Sequence, residues 1–388
     1  MQVEKISGTL YKLTLSLNEF TVNLGVCAGV DGILLIDTGW AQTAEELSKS
    51  VSELDEGIIK LIIFTHHHAD HIGGRDLLGE NATLITHKNT IDELAGKYFG
   101  LDARSGQGLP TITLENELSL RFNGEDIKII PAPGHTDSDL VVYFINSGVV
   151  FLGDLVLSDT FPPLDLVRGG NAEHYIESIG KLIEQFPIDV KLITGHGRDY
   201  TLVDLREHYR MAVSTTDLIK QGMADGKNAQ DMVSEELLRD WAKWSSAQVS
   251  SEAWITQAYE SLSGKVKKSV SETLTYTIMD EGIEAAIEQY HEIKKNQANA
   301  YNLGENELNM LGYQLLWREM ISAAIEVFKL NTQAYPKSAN PFDSLGEAYL
   351  ASGDEEHAIE NYEKAVSINP NMPSAVAALV KLRPTSED

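Results

Sequence analysis

The chain is poor in cysteine and in long apolar runs. Its 388 residues include a single cysteine, Cys27, so no disulfide can form within the chain, which fits the cytoplasm without excluding a periplasm. A membrane-spanning helix needs about 18 or more consecutive apolar residues, and the sequence contains no such run. These absences give no support to a disulfide framework or to a membrane span.

Basic residues are also scarce relative to acidic ones. The chain has 31 Lys and Arg against 58 Asp and Glu, which gives a net charge of -27 at pH 7. A strongly acidic surface repels phosphate backbones, and nucleic-acid binders show a basic face that no segment here provides. We therefore expect that the chain binds neither nucleic acid nor a membrane. If the protein is an enzyme, we expect its substrate to be a small molecule.

The N-terminus lacks the pattern of a signal peptide. Met1 to Lys5 leads into the strand-like segment Thr9 to Leu17 with no apolar core of the signal type between them. We expect a cytoplasmic protein, with the periplasm or secretion as the alternative if a signal peptide has been removed.

Three imidazoles and a carboxylate follow a short apolar segment. The hexapeptide from His66 to His71 reads His-His-His-Ala-Asp-His and comes directly after Leu61-Ile62-Ile63-Phe64. Imidazole nitrogens and carboxylate oxygens suit a borderline cation such as zinc, and a rigid strand end presents them at little entropic cost. A histidine-rich surface loop is the alternative. The pattern favours a metal site.

Further candidate ligands follow three other strand-like segments. His135, Asp154 and His196 each come just after an apolar run, and each has a glycine beside it that permits a tight turn. If these strands end at one edge of a sheet, the three side chains meet those of the hexapeptide. The sequence then predicts a cluster that holds two metal ions.

The order and spacing of these residues resemble the metallo-β-lactamase superfamily, which includes glyoxalase II, lactonases and zinc β-lactamases. The resemblance covers about the first 205 residues and extends to the segment Val30 to Gly39, which ends in Ile-Asp-Thr-Gly. It implies an α/β fold, the αββα sandwich of that family, as a catalytic domain over residues 1–205.

The resemblance also implies a ligand set for two zinc ions per chain. The first metal would be bound by His66, His68 and His135; the second by Asp70, His71 and His196; and Asp154 would bridge them. Two divalent ions roughly 3.5 to 4 Å apart can share a hydroxide that attacks an acyl carbon at neutral pH. Asp70 would orient this hydroxide and carry its proton. The implied reaction is hydrolysis of a small ester, thioester, lactone or β-lactam.

Asp154 distinguishes branches of the family. The commonest zinc β-lactamases resemble this chain but place a cysteine at the corresponding point, whereas glyoxalase II-like enzymes place a bridging aspartate. Cys27 lies far upstream in a strand-like segment and is expected to be a small buried apolar residue. The site is expected to contain no thiolate.

The segment that follows Asp154 is expected to face the substrate. Asn171 could donate to an oxyanion, or it could cap the helix predicted to begin there. Arg168 could bind a substrate carboxylate, or it could be a surface charge. Tyr200, four residues after His196, is a further candidate donor. Asp70, Asn171 and Tyr200 are thus the predicted catalytic residues.

Two residues are expected to lie behind the ligands. Asp37 would hold a ligand imidazole or its loop in place. Alternatively, Asp37 is only a turn residue. His67 lies between two predicted ligands, and its side chain would be either solvated or packed behind them.

The chain changes character beyond the last predicted ligand. Residues 206–265 are predicted to form a helical extension, whose tryptophans either pack in a core or cap the active site. Residues 266–300 read as a linker with a degenerate helical repeat. In residues 301–388, Ala324-Ile325-Glu326 recurs 34 residues later as Ala358-Ile359-Glu360, which resembles the tetratricopeptide repeat.

Such repeats usually present a surface to another protein segment. With so few repeats, a homodimer and docking of a protein partner both remain open. Two alternatives to a zinc hydrolase also remain: a scaffold protein whose repeats carry the function, and an enzyme similar to the mononuclear iron persulfide dioxygenases, whose ligand set is smaller.

Overall fold

Two packed sheets flanked by helices make up the first part of the chain. The computed structural model describes residues 1–17, 20–55, 57–91, 112–264 and 266–382. The described residues divide into two compact units, of which the first ends at Val266 and the second begins at Lys267. Lys265, at the predicted boundary, and residues 383–388 lie outside the described residues, and the finer division into four segments stays a prediction.

The first sheet follows chain order from β1 to β7 in the described residues. Its strands are Gln2–Ser7 (β1), Leu10–Leu17 (β2), Phe20–Gly29 (β3), Gly32–Ile36 (β4), Ile59–Ile63 (β5), Thr83–His87 (β6) and Ile112–Leu114 (β7). Strands β1 to β4 pair antiparallel, whereas β4 to β7 pair parallel. The carboxyl ends of β4 and β5 therefore lie side by side at one edge.

The second sheet has the order β13-β12-β11-β10-β9-β8 in the described residues. Its strands are Leu118–Phe122 (β8), Glu125–Pro131 (β9), Leu140–Phe144 (β10), Val149–Phe151 (β11), Lys191–Ile193 (β12) and Tyr200–Thr201 (β13). Only β11 and β12 pair parallel within this sheet as described. The segments that carry Asp154 and His196 thus leave the sheet at the same edge.

The two sheets pack face to face around an apolar core. Ile36 and Ile63 from the first sheet share this core with Val142 and Phe151 from the second, and all four are buried. Alternation along each strand places such residues on the inner face.

Helices cover the outer faces of both sheets. The outer face of the first sheet is covered by α1 (Ala44–Leu54), followed along the chain by the short α2 (Ala69–Ile72) and α3 (Arg75–Leu78). The outer face of the second sheet is covered by α4 (Ala172–Gln185), α5 (Leu202–Ala224), α6 (Ala229–Ser234) and α7 (Ser251–Ser263). The predicted αββα sandwich is confirmed.

The predicted helical extension packs on the second sheet. Trp254 of α7 is fully buried in the core between that sheet and α4 and α5, and its indole nitrogen donates to Thr215 at 2.8 Å. Helix α5 begins with a capping box in which Thr201 and Asp204 satisfy each other's backbone N–H groups. The extension therefore belongs to the first unit as one of its covering layers.

The second unit is helical. It contains α8 (Val270–Glu281), α9 (Ile283–Asn296), α10 (Glu305–Trp317), α11 (Ile321–Ala334), α12 (Asn340–Ser352), α13 (Glu355–Ile368) and α14 (Pro373–Leu382), with the two-residue strands β14 (Lys268–Ser269) and β15 (Tyr301–Asn302). In the hairpin α10–α11, Gly312 lies against the ring of Phe328, and Gly346 lies against Tyr362 in α12–α13. The predicted 34-residue repeat is confirmed. No helix in the described ranges is long and apolar enough to cross a membrane.

Candidate metal centre

The seven predicted ligands converge at the edge where the parallel strands end. They form two groups that share Asp154: His66, His68, His135 and Asp154 in the first, and Asp70, His71, His196 and Asp154 in the second. Within each group the candidate ligand atoms lie within 4.8 Å of one another. The structure thus brings together residues that are up to 130 positions apart in the sequence.

Turns at the strand ends place these side chains. After β5 the chain bends through residues 65–67, His68 is extended, and α2 then begins, with the backbone N–H of His71 donating to the His68 carbonyl at 2.9 Å. Asp154 and His196 follow β11 and β12. A Cβ atom at Gly195 would overlap with the Asp154 carboxylate, so only glycine permits this close approach.

In the first group, His68 and His135 donate outward to fixed acceptors. His68 Nε2 lies 3.0 Å from Asp165 Oδ2, and His135 Nδ1 lies 3.1 Å from the Pro163 carbonyl oxygen. Burial opposes the charge of Asp165, but hydrogen bonds from His67 and His68 outweigh it and hold the pKa of Asp165 well below its ordinary value. Because both partners can only accept, the hydrogens lie on these two nitrogens.

When both rings are neutral, their inward nitrogens carry lone pairs. His68 Nδ1 and His135 Nε2 lie 3.1 Å apart. Burial opposes a charge on His68, but Asp165 outweighs it and raises the pKa of His68, so a proton lies between the two nitrogens when no metal is bound, and a metal cation would replace it. The pair of imidazoles is therefore arranged as ligands to one positive ion.

His66 has the same arrangement. Its Nδ1 lies 3.2 Å from the hydroxyl oxygen of Thr65, whose own hydrogen goes to Asp37 Oδ2 at 2.7 Å. His66 Nε2 is buried without a hydrogen-bond partner in the described chain and lies 3.8 Å from Asp154 Oδ2. A buried bare nitrogen beside a carboxylate is what a bound cation would satisfy.

The imidazoles of the second group are also fixed from behind. His71 Nδ1 lies 2.8 Å from Asp37 Oδ2, and His196 Nδ1 contacts the carbonyl oxygen of Thr21. Asp37 also accepts the backbone N–H of Thr65 at 2.8 Å, so one carboxylate ties the end of β4 to the end of β5. The contact expected of Asp37 with a ligand imidazole is confirmed.

The inward atoms of the second group face two carboxylates. The Nε2 atoms of His71 and His196 both lie 3.2 Å from Asp154 Oδ1, and His196 Nε2 lies 3.2 Å from Asp70 Oδ2. Three of the groups are nearly inaccessible, whereas the Asp70 side chain is 20% exposed. Asp70 is thus the most exposed of the four side chains in this group.

The charges of the two groups differ. Burial lowers the pKa of His66 well below its ordinary value and that of His135 to about 4. In the second group burial also works against a charged His196, but Asp154 outweighs it and raises the His196 pKa to about 10. Burial likewise opposes the charge of Asp154, yet His196 and His71 hold its pKa well below the ordinary value.

The donor set fits two divalent ions. Imidazole nitrogens and carboxylate oxygens surround both positions, and Cys27 is buried elsewhere, in β3. Such a set is typical of zinc and of other first-row divalent metals.

His67 lies behind the ligands. It is buried, its Nε2 lies 3.7 Å from Asp165 Oδ2, and burial lowers its pKa to about 4. Of the two alternatives for His67, the solvated one is wrong. His67, His68 and Asp165 also lie close enough to one another to form a third small group of potential ligands.

The predicted substrate-facing residues have structural partners. Asn171 Oδ1 accepts the backbone N–H groups of Glu173 and His174, which makes Asn171 the N-cap of α4. The Tyr200 hydroxyl is buried and accepts the backbone N–H of Asp159 at 2.6 Å. Arg168 is part-buried, and its carbonyl accepts the N–H of a neighbouring loop. Their roles toward a substrate stay predictions.

The outward acceptors were not predicted from the sequence, apart from Asp37. Asp165 is 97 positions from His68, and the other acceptors are backbone carbonyls that carry no sequence signal. No local pattern could have assigned these contacts.

Comparisons with known proteins agree with this geometry. A family model described as the metallo-beta-lactamase superfamily matches residues 17–196, and one described as a tetratricopeptide repeat matches residues 342–372. A hydroxyacylglutathione hydrolase from Crocosphaera subtropica is 30% identical over 196 residues, which cover 48% of this chain and 71% of that protein.

Other relatives match at lower identity. A metallo-beta-lactamase type 2 from Bacillus sp. is 27% identical over 169 residues, which cover 43% of this chain and 63% of that protein. For this relative and for a hydroxyacylglutathione hydrolase from Synechococcus sp., the chain spans only 63% and 58% of the relative's length. The solved metallo-beta-lactamase from Pontibacter korlensis matches with a TM-score of 0.47 at 22% identity, over 54% of this chain and 98% of that one.

Proposed function

The chain belongs to the metallo-β-lactamase superfamily, and we propose that it is a hydrolase that uses two divalent ions, expected to be zinc, to cleave an acyl bond. The observation that carries this proposal is the pair of complete donor groups that share Asp154. When bound, such ions lower the pKa of a coordinated water to near 7 and polarise the carbonyl of the substrate. The substrate class is a small ester, thioester, lactone or β-lactam.

Asp70 is the residue that moves the proton. Burial opposes its charge, but His71 and the hydrogen bond to His196 outweigh it and lower the pKa of Asp70, so the carboxylate is ionised at neutral pH. An ionised and accessible carboxylate can accept a proton from the attacking water and deliver it to the leaving group.

Asn171 is a better candidate than Tyr200 for stabilising the oxyanion. The cap of α4 uses the amide oxygen of Asn171, which leaves the amide hydrogens as donors. The Tyr200 hydroxyl donates its hydrogen to Asp159 Oδ1 at 3.4 Å and would first have to leave that carboxylate. Substituting Asn171 is therefore expected to cost more activity than substituting Tyr200.

The donor chemistry favours thioesters over β-lactams within the substrate class. The shared ligand is the carboxylate of Asp154 and not a thiolate, as in the glyoxalase II-like pattern, and several relatives are named hydroxyacylglutathione hydrolases. We propose an acyl thioester as the first substrate to test.

A hydrolysis panel tests the proposal. The zinc-loaded full chain is assayed on thioesters, esters, lactones and β-lactams beside His68→Ala and a matched control, His291→Ala, which removes an exposed imidazole from α9. We expect hydrolysis of at least one class, loss of it in His68→Ala, and no change in His291→Ala.

Two outcomes would contradict it. Full activity in His68→Ala would show that the cluster is not the catalytic site. A chain that binds two zinc ions but hydrolyses nothing in the panel would favour the alternative in which the repeats carry the function.

A further inference from the structure

One loop supplies the outward acceptors for two imidazoles of the first group. The loop runs from Ser158 to Asn171 and contains none of the predicted ligands. It contributes the Asp165 carboxylate to His68 and the Pro163 carbonyl to His135. The position of this loop therefore decides which nitrogen of each ring faces inward.

Helix α7 and the chain before it hold this loop from the opposite side. The ring of Phe161 stacks on Trp254, with 6.3 Å between centroids and 11° between planes. The backbone N–H of Phe161 donates to the Trp244 carbonyl at 3.0 Å. Phe161 and Trp254 are both fully buried, so the start of the loop is fixed in the core.

Polar contacts from α7 hold the rest of the loop. Leu164 lies between the two acceptor residues, and its N–H donates to Gln257 Oε1 at 3.4 Å. At the end of the loop, the N–H of Ala172 donates to the Ser261 hydroxyl at 3.3 Å. Gln257 and Ser261 are one helical turn apart, so one face of α7 contacts the loop at both points.

The outward acceptors of the second group lie outside this loop: they are Asp37 at the end of β4 and the Thr21 carbonyl in β3. The loop touches the second group at its first residue, where the backbone N–H of Ser158 donates to the His196 carbonyl at 3.1 Å. A change in α7 or in residues 163–165, which lie beyond that contact, should therefore affect one metal position and leave the other unchanged.

We propose that α7 is a positioning element for the first metal site. By holding Leu164 it keeps the carbonyl of Pro163 and the carboxylate of Asp165 where they select the ligand tautomers of His135 and His68. Gln257 then influences metal affinity without touching the metal. This inference rests on the proposed function, because it assumes that both donor groups bind an ion.

The test measures zinc affinity at each site separately. In full-length His196→Ala the remaining high-affinity zinc reports the first site, and in full-length His135→Ala it reports the second. Asp165→Asn and Gln257→Leu are introduced into both backgrounds, and zinc is titrated in competition with a chromophoric chelator. Circular dichroism and thermal unfolding confirm that each variant is folded.

The expected result is selective. Asp165→Asn should weaken zinc binding about 10- to 100-fold in the His196→Ala background, the size typical for partners behind ligands, and leave the His135→Ala background unchanged. Gln257→Leu should act in the same background with a smaller effect. Asp37→Asn is the matched control, and it should weaken zinc binding at the second site, which is measured in the His135→Ala background.

Four outcomes would overturn the inference. Unchanged affinity in the His196→Ala background would show that the loop does not orient the ligands, and equal weakening in both backgrounds would show a general loss of structure. A third zinc equivalent in the wild type that disappears in His67→Ala would identify His67, His68 and Asp165 as a separate site. If the wild type binds fewer than two zinc ions, the proposed function fails as well.

Discussion

At the scale of single residues, acceptors behind the cluster determine what its imidazoles can bind. Asp37, Asp165 and two backbone carbonyls accept from the outward nitrogens, and the inward nitrogens face one another, Asp154 and Asp70. Either protons or metal cations must lie between these inward atoms, and in the second group, against the effect of burial, Asp154 raises the pKa of His196 to about 10, so a proton takes this place when no metal is bound. The outward acceptors, as much as the ligand types, therefore suit the cluster to the proposed metal centre.

Asp70 is expected to act in proton transfer. Asp70→Asn keeps the size of the side chain but removes its basicity, so hydrolysis of the best panel substrate should fall by about 10² to 10⁴. The measurement is kcat with metal content determined on the same sample. Asp76→Asn, an exposed carboxylate in the next helix, is the control and should leave kcat unchanged. Equal kcat in Asp70→Asn and Asp76→Asn would exclude a role of Asp70 in proton transfer.

His208 is expected to make stability depend on pH. It is fully buried, its Nε2 lies 2.8 Å from the Tyr175 hydroxyl, and burial lowers its pKa from 6.5 to about 4. Below pH 6.5 the unfolded chain takes up a proton that the folded chain does not, so stability is complete above pH 6.5 and falls toward pH 4. At pH 5 the loss is about 2 kcal/mol.

Urea unfolding at pH 7.5 and pH 5 measures this effect. His208→Gln keeps a polar partner for Tyr175 but does not titrate, so its free energy of unfolding should decrease less between the two values of pH than that of the wild type. Because the other titrating groups are common to both proteins, their effects cancel in this comparison. An identical decrease in both proteins would show that His208 does not contribute.

At the scale of elements, the ends of parallel strands assemble the site. Strands β4 and β5 in one sheet and β11 and β12 in the other deliver Asp37, the hexapeptide, Asp154 and His196 to one edge. These positions are predictable from the sequence because each follows a short apolar run, and Asp154 and His196 also have glycines beside them. The contacts of the loop from Ser158 to Asn171 are not predictable, because they depend on how α7 packs against it.

The helix hairpins of the second unit depend on glycine where their helices cross. A Cβ atom at Gly312 would overlap with the ring of Phe328, so Gly312→Ala should destabilise the hairpin α10–α11 by about 1 to 3 kcal/mol. Hydrogen exchange measured by mass spectrometry should show faster exchange in residues 305–334. Gly180→Ala in α4 is the control, since a Cβ there meets only the end of the Tyr209 side chain. Unchanged exchange in Gly312→Ala would contradict the packing.

At the scale of the whole molecule, two units with separate cores share one chain. The first carries the sheets and the metal-ligand cluster, and the second carries the repeats. The sequence predicts this division because periodicity, ligand motifs and the 34-residue repeat occupy different segments. It does not predict the substrate, because the loops that face the site carry no pattern that specifies a ligand.

The central claim is that the first unit binds two metal ions through a shared carboxylate. Counting zinc and iron by mass spectrometry in the full chain and in Asp154→Ala tests it most directly. We predict about two zinc ions per wild-type chain and at most one in Asp154→Ala, because the variant loses the ligand that both groups share. One iron per wild-type chain, or two zinc ions retained in Asp154→Ala, would contradict the claim.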